Sequence, residues 1–227
     1  NGVAATDIET KKEYLLNAKT VINATGVFVD DILQMDEEGS KPIVRPSQGI
    51  HLVFDKSFLD SDHALMIPKT PDGRVLFAVP WHDHVLVGTT DTPLDAHSLE
   101  PVALEKEINF ILDTVSHYFI KKPAREDVLS VFAGLRPLAA PQKDTDSTKE
   151  ISRDHKLIVN PSGLITITGG KWTTYRRMAE EVVDKAITVA HLQPQKCKTR
   201  DLKIYHEETT GLSLENQVKG FIRNEMA

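Results

Sequence analysis

Four short β-prone runs, at residues 51–55, 64–68, 75–80 and 85–89, succeed one another without a helical pattern between them, and this succession restricts the fold more than any other stretch. Pro71, Asp72 and Gly73 supply turn chemistry between the second and third runs, and His82 and Asp83 between the third and fourth. Runs joined this closely read as an antiparallel meander.

Around the meander the periodicity changes. Residues 101–122 carry Leu104, Ile108, Ile111, Leu112, Val115 and Phe119 on one face. Glu105 and Glu107 come early and Lys121 and Lys122 late, as the helix dipole favours, so this is a long helix that Pro123 ends. A second long helix follows Gly169-Gly170-Lys171 and runs to about 190, with Tyr175, Met178, Ala179, Val182, Val183 and Ala186 on one stripe. Upstream, runs at 3–8 and 14–16 form a hairpin, residues 20–26 a buried strand ending in small residues, and the apolar spacing at 28, 29, 32 and 33 a short helix. Residues 128–132 read as a strand, 155–159 and 164–168 as a hairpin, and the chain from about 193 as a polar connector.

The chain has 227 residues, 40% hydrophobic and 26% charged, a composition that supports a sizeable core and excludes disordered, collagen-like and disulfide-scaffold classes. A single cysteine, Cys197, cannot form an internal disulfide and removes a zinc site built from paired thiolates. With 27 Lys and Arg against 33 Asp and Glu the formal charge is -6, which disfavours nucleic acid as the main partner. No run approaches the roughly 18 apolar residues of a spanning helix. The first residues lack an initiator Met and the regions of a secretory signal, and residues 221–227 read as helix with no stop signal, so both ends are expected to be internal to a longer protein.

Candidate chemistry lies at three places. Gly169-Gly170-Lys171, between a strand and a helix, exposes backbone N–H groups at the positive end of a dipole and adds a full charge, a setting for an anion or an electron-rich ring. A phosphate-loop motif fails there, because its Gly and Ser/Thr positions hold Ile165 and Trp172; a packing turn is the competing reading. Arg136 and Arg153 each have the planar fork that clamps phosphate or carboxylate, although most arginines are simply surface residues. His51 opens a strand, from which an imidazole serves as base or hydrogen-bond partner, or as a satisfied structural residue. His82-Asp83-His84 lacks a third ligand and reads as a solvated turn, so no metal is expected. Gly88-Thr89-Thr90-Asp91-Thr92 is either a cofactor-adjacent loop or a hydrogen-bonded strand exit.

Taken in order, six segments carry a resemblance. They are Val21-Ile22-Asn23-Ala24-Thr25-Gly26, Pro46-Ser47-Gln48-Gly49-Ile50-His51, Pro80-Trp81 with Gly88-Thr89-Thr90-Asp91, Gly134-Leu135-Arg136-Pro137-Leu138, Ser152-Arg153-Asp154-His155 and Gly169-Gly170-Lys171-Trp172-Thr173-Thr174-Tyr175-Arg176. Over about residues 1–190 the chain resembles the FAD-dependent glycerol-3-phosphate dehydrogenases, within the flavoprotein superfamily that includes D-amino-acid oxidase.

The resemblance implies an α+β fold: a mixed, largely antiparallel substrate domain with helices at 45–168, and the C-terminal part of a Rossmann-like FAD-binding domain at 1–44. Residues 169–192 would be the flavin-adjacent loop and helix returning to it, and 193–227 a connector to a helical C-terminal domain. It implies FAD beside Ala24, Thr25, Gly26, Gly169, Gly170, Lys171, Trp172 and Thr173, and glycerol 3-phosphate held by Arg136, Arg153, Lys171 and Thr173. The implied catalytic residues are His51, as base or hydroxyl orienter, with Arg136 and Lys171. The implied reaction yields dihydroxyacetone phosphate, with electrons passing to a quinone or, in related oxidases, to oxygen. Quinone use implies a cytoplasmic protein in peripheral contact with the inner face of the cytoplasmic membrane through other regions. A non-catalytic substrate-binding domain is the reading from another class. The G-x-G-x-x-G fingerprint that cradles the FAD pyrophosphate does not occur in the chain, so this stretch alone is expected to bind FAD poorly and to be inactive.

Overall fold

Alternation along one strand organises the fold. In β4, Val44–Asp55, residues Gln48, Ile50, Leu52 and Phe54 share one side, and Ser47, Gly49, His51 and Val53 the other. The computed structural model in which this is seen describes residues 2–139 and 155–202, so Arg153 and the helix expected after 221 lie outside the described residues.

Both edges of β4 are paired. Its C-terminal half runs antiparallel to β7, His84–Gly88, and its N-terminal half to β8, Thr92–Pro93. Along the other edge lies β9, Ser130–Ala139, in register from Val44↔Ala139 to Val53↔Ser130. The sheet continues through β6, Leu76–Trp81, to β5, Leu65–Ile67, so the last three of the four runs form a meander. β4 lies beside β7 and not beside β5 as a four-stranded meander requires, because its edges are taken by β7 with β8 and by β9. β4 begins earlier and β9 ends later than the sequence pattern suggests, because each supplies the other's ladder through a stretch rich in Gly and Pro.

The core side of this sheet is covered by α2, Glu105–Val115. Ile50, Leu52, Phe54, Val85, Val87 and Leu76 meet Ile108, Ile111, Leu112 and Val115 there. Each such side chain contributes about 1.5–3 kcal/mol on burial. The helix is shorter than the periodicity at 101–122 predicts. Its start is set by Leu104, whose N–H donates to Glu107 Oε2 at 3.0 Å. Beyond Val115 the chain turns so that Phe119 packs edge-on against Phe54, 5.8 Å between ring centres.

A separate three-stranded sheet joins distant segments. β3, Val21–Asn23, runs parallel to β11, Leu164–Gly169, and β10, His155–Val159, runs antiparallel to β11. Residues 155–169 therefore hydrogen-bond with the segment of β3 and not with the large sheet. Ile165 and Ile167 of β11 bury against Val182 and Ala186 of α3, Tyr175–Val189. The short helix α1, Val29–Asp36, is tied to the entry of β4 by Asp30, whose carboxylate accepts from the N–H groups of Ile43 (2.9 Å) and Val44 (3.2 Å). At the start of the chain β1, Gly2–Thr6, and β2, Glu13–Asn17, form the expected hairpin, exposed along both strands. One compact unit extends to Gln193 and a second begins at Pro194.

Candidate active site

On the side of β4 away from α2, the ladder sets functional side chains over glycines. His51 stands opposite Gly88 on β7 and Phe132 on β9, while Gly49 stands opposite Gly134 and Ser47 opposite Arg136. The His51 ring stacks on Phe132 at 5.0 Å and 9° between planes, and it covers Gly88, where a Cβ would lie 2.3 Å from Cδ2. The Arg136 guanidinium covers Gly49, where a Cβ would lie 2.2 Å from Nη2 and 2.5 Å from Nη1. Two glycines thus provide the floor on which the two charged or chargeable groups rest.

Hydrogen bonds fix the guanidinium. Nη2 donates to Thr89 Oγ1 at 3.0 Å, and Nη1 lies 3.7 Å from Asp91 Oδ1. Asp91 is itself anchored, because Ser47 Oγ donates to its carboxylate and Arg74 Nη1 reaches both Oδ2 (3.1 Å) and the backbone carbonyl (2.6 Å). Arg74 and Asp91 side chains are each 23% exposed, whereas Arg136 keeps 36%, so Arg136 is the member that faces outward. Planar, oriented and partly open, it suits bidentate binding of a phosphate.

Electrostatics set the protonation of the neighbours. Burial first, and the Arg136 charge second, hold the His51 imidazole below its ordinary value of 6.5. It is therefore neutral at pH 7 and able to accept a proton. Burial also lowers Arg74; Asp72 acts in the opposite direction and Arg136 adds to the lowering, so the two guanidinium groups lie within each other's field.

A second feature is a largely apolar cavity of about 510 Å³, whose wall includes Ala24, Gly169, Gly170, Lys171 and Trp172. Pro137, next to Arg136 on β9, lines it too, so this cavity and the arginine cluster share a strand. Ala24 is presented by the buried Asn23, whose Nδ2 donates to Val29 O (2.9 Å) and whose Oδ1 accepts from Thr25 Oγ1 (2.7 Å). Gly169 and Gly170 both have left-handed backbone, at φ +77° and +74°. The turn after them is closed by Thr174, whose Oγ1 donates to Lys171 O at 2.9 Å.

Gly170→Ala is expected to destabilise the fold by about 1–3 kcal/mol, from backbone strain and from a Cβ placed 2.5 Å from Met178 Sδ. Thermal unfolding of the variant checks this; an unchanged Tm would show that the turn is not held as described.

The structure brings His51 and Arg136 together on one sheet face, and gathers Ala24, Gly169, Gly170, Lys171 and Trp172 around one cavity. Thr25 commits its hydroxyl to Asn23, Gly26 follows with φ +64°, and Thr173 is exposed in the turn after Lys171. Sequence reasoning missed Arg74, which follows turn residues, and the two floor glycines. For Gly49 the signal was present, a glycine inside an otherwise β-prone segment. Among the described residues no group of three or more His, Cys, Asp or Glu gathers in the manner of a metal site.

The cavity fits the planar ring of a flavin in one testable respect: two successive left-handed glycines leave backbone without side chains on an otherwise apolar wall.

The chain is 46% identical over 196 residues to "Glycerol-3-phosphate dehydrogenase SDP6, mitochondrial" of Arabidopsis thaliana, covering 86% of this chain and 31% of that protein. It is 41% identical over 217 residues to "Glycerol-3-phosphate dehydrogenase, mitochondrial" of Homo sapiens, covering 95% of this chain and 28% of that protein. The chain thus spans about a third or less of the length of these relatives. Among solved structures, the glycerol-3-phosphate dehydrogenase of Bacillus halodurans complexed with FAD superposes with a TM-score of 0.75 at 33% identity, over 87% of this chain and 37% of that one. The sequence profile of the family "FAD dependent oxidoreductase" (DAO) matches residues 1–176, well over half of the chain, and with the glycine-floored sheet face and the Gly-Gly wall in place this chain belongs to the FAD dependent oxidoreductase family.

Proposed function

We propose that this chain forms the substrate face and part of the flavin wall of an enzyme that oxidises sn-glycerol 3-phosphate to dihydroxyacetone phosphate. The observation that carries the reading is the pairing of Arg136 over Gly49 with His51 over Gly88 on one side of β4. Arg136 holds the phosphate, and His51, neutral at pH 7, takes the proton of the C2 hydroxyl as the carbon is oxidised. Bound FAD supplies the acceptor for the hydride from C2. Ala24, Gly169, Gly170, Lys171 and Trp172 would hold its ring, and Lys171 adds positive charge at that wall. Arg153 and Thr173 are proposed as further substrate contacts. The division into a substrate domain from residue 45 and FAD-domain segments at 1–44 and 169–192 belongs to the same proposal, with residues 155–168 taken to the FAD-domain side because β10 and β11 join β3 and not the large sheet.

A quinone is the proposed electron acceptor, reached by peripheral contact at the inner face of a membrane. Among the described residues no helix is long and apolar enough to cross a membrane. The plant and human relatives carry "mitochondrial" in their names, which bears on which membrane this is.

The test uses the full-length protein loaded with FAD. Glycerol 3-phosphate is expected to bleach its oxidised-flavin absorbance, and a soluble quinone analogue to restore it. Bleaching by amino acids but not by glycerol 3-phosphate would sink the reading; reoxidation by oxygen alone, with peroxide formed, would replace the quinone.

A further inference from the structure

We propose that Glu107 is a positioning residue, a carboxylate on the core side of the sheet that sets the strand and turn whose other side presents Arg136 to the substrate's phosphate. The proposal rests on the reading of glycerol 3-phosphate as substrate.

Glu107 is only 2% exposed, and a buried carboxylate is costly unless its lone pairs are filled. Here they are filled fourfold. Oε1 accepts from Thr90 Oγ1 (2.9 Å) and Thr92 Oγ1 (2.6 Å), and Oε2 from Gln48 Nε2 (2.7 Å) and Leu104 N (3.0 Å). Capping α2 needs the last of these bonds alone and works equally from an exposed position. The other three leave the helix and reach β4, the segment between β7 and β8, and the start of β8.

Alternation turns those three contacts into control of the opposite face. Gln48 flanks Gly49 on one side, and Ile50, whose N–H donates to Thr90 Oγ1 at 3.0 Å, flanks it on the other. Thr90 and Thr92 flank Asp91, and Thr90 follows Thr89 directly. The intervening residues Gly49, Thr89 and Asp91 are the ones against which the Arg136 guanidinium rests. Each of these three residues is therefore next in sequence to one that Glu107 holds, directly or through Thr90. Burial pushes the Glu107 carboxyl upward, but the hydrogen bonds from Thr92, Leu104 N, Gln48 and Thr90 together outweigh it and keep the group below its ordinary value. It stays ionised and accepts from all four donors.

In the full-length flavin-loaded enzyme, Glu107→Leu is expected to raise KM for glycerol 3-phosphate about tenfold. The competitive inhibition constant of inorganic phosphate should rise by the same factor, with kcat changing less than threefold. Glu107→Gln, whose amide turns one acceptor atom into a donor, is expected to rescue part of this, leaving both constants about threefold up. A merely structural role would lower Tm without moving phosphate inhibition in step with KM. Should Glu107→Leu fail to fold, Thr92→Val removes one of the four bonds, and a rise of about threefold in both constants is expected. Folded variants whose phosphate inhibition stays within twofold of the parent overturn the proposal. A parent enzyme inert toward glycerol 3-phosphate overturns the proposed function as well, so the two failures are distinct.

Discussion

Arg136→Ala in the full-length flavin-loaded protein is expected to lower kcat/KM for glycerol 3-phosphate by about 10²-fold. That corresponds to ~3 kcal/mol, the scale of two charge-assisted hydrogen bonds to a phosphate. Folding should suffer little, because the side chain is 36% exposed and the carboxylate it leaves, Asp91, is still bound by Arg74 and Ser47. The pH profile supplies an independent readout. Burial, then Arg136, depress His51, so removing Arg136 lets the imidazole rise toward 6.5. The sign follows: the acid limb marks protonation of His51 as pH falls, so in the variant activity is lost at a higher pH than in the parent. The same depression makes the folded parent bind fewer protons than the unfolded chain, and its stability from this group falls as pH drops below 6.5. Steady-state kinetics from pH 5 to 8 check both points; an acid limb that does not move would detach Arg136 from His51.

Gly88→Ala is expected to lower kcat by 10²-fold or more with a smaller change in KM. The new Cβ would lie 2.3 Å from His51 Cδ2, and the ring cannot yield freely because Phe132 stacks on it. The proposed base is displaced while the proposed phosphate clamp stays, which predicts a kcat effect. Overpacking also costs about 1–3 kcal/mol of stability. Gly134→Ala provides the contrast: among the described residues nothing lies within 4 Å of its Cβ position, so its Tm should match the parent. Stopped-flow reduction of the flavin, with thermal melts of both variants, separates the effects. A Gly88→Ala enzyme reduced at the parental rate would remove His51 from the chemistry.

Much of this arrangement was legible in the residues. Period-two runs joined by Pro71-Asp72-Gly73 and His82-Asp83 gave the meander of β5, β6 and β7 but not the place of β4 beside β7, and Gly169-Gly170-Lys171 gave the strand-to-helix turn, because turn chemistry and alternation are local. The extent of β4 and β9 was not legible, since Pro46, Gly49, Gly134 and Pro137 weaken the β signal and only cross-strand pairing restores it. Glu107 was misleading for the opposite reason. An acidic residue in the first turn of a helix reads as solvated and dipole-compensating, and only the fold shows it turned inward onto Gln48, Thr90 and Thr92. Arg74 follows a turn signal that explains its neighbours completely, so nothing local marked it as the anchor of Asp91.

The parallel pairing of β3 with β11 bears on how the molecule assembles in time. Ala24 and Gly169 to Trp172 share a cavity wall, yet the segments that carry them are joined by contacts as distant as Thr20 Oγ1 to Gly163 O, separated by 143 residues. Closing a loop of that length by random search is slow, whereas the meander and the 155–169 hairpin close locally. The hairpins β5–β6–β7 and 155–169 are therefore expected to form before β3 pairs with β11, so that in refolding followed by pulse-labelled hydrogen exchange the amides of Val21–Asn23 gain protection late.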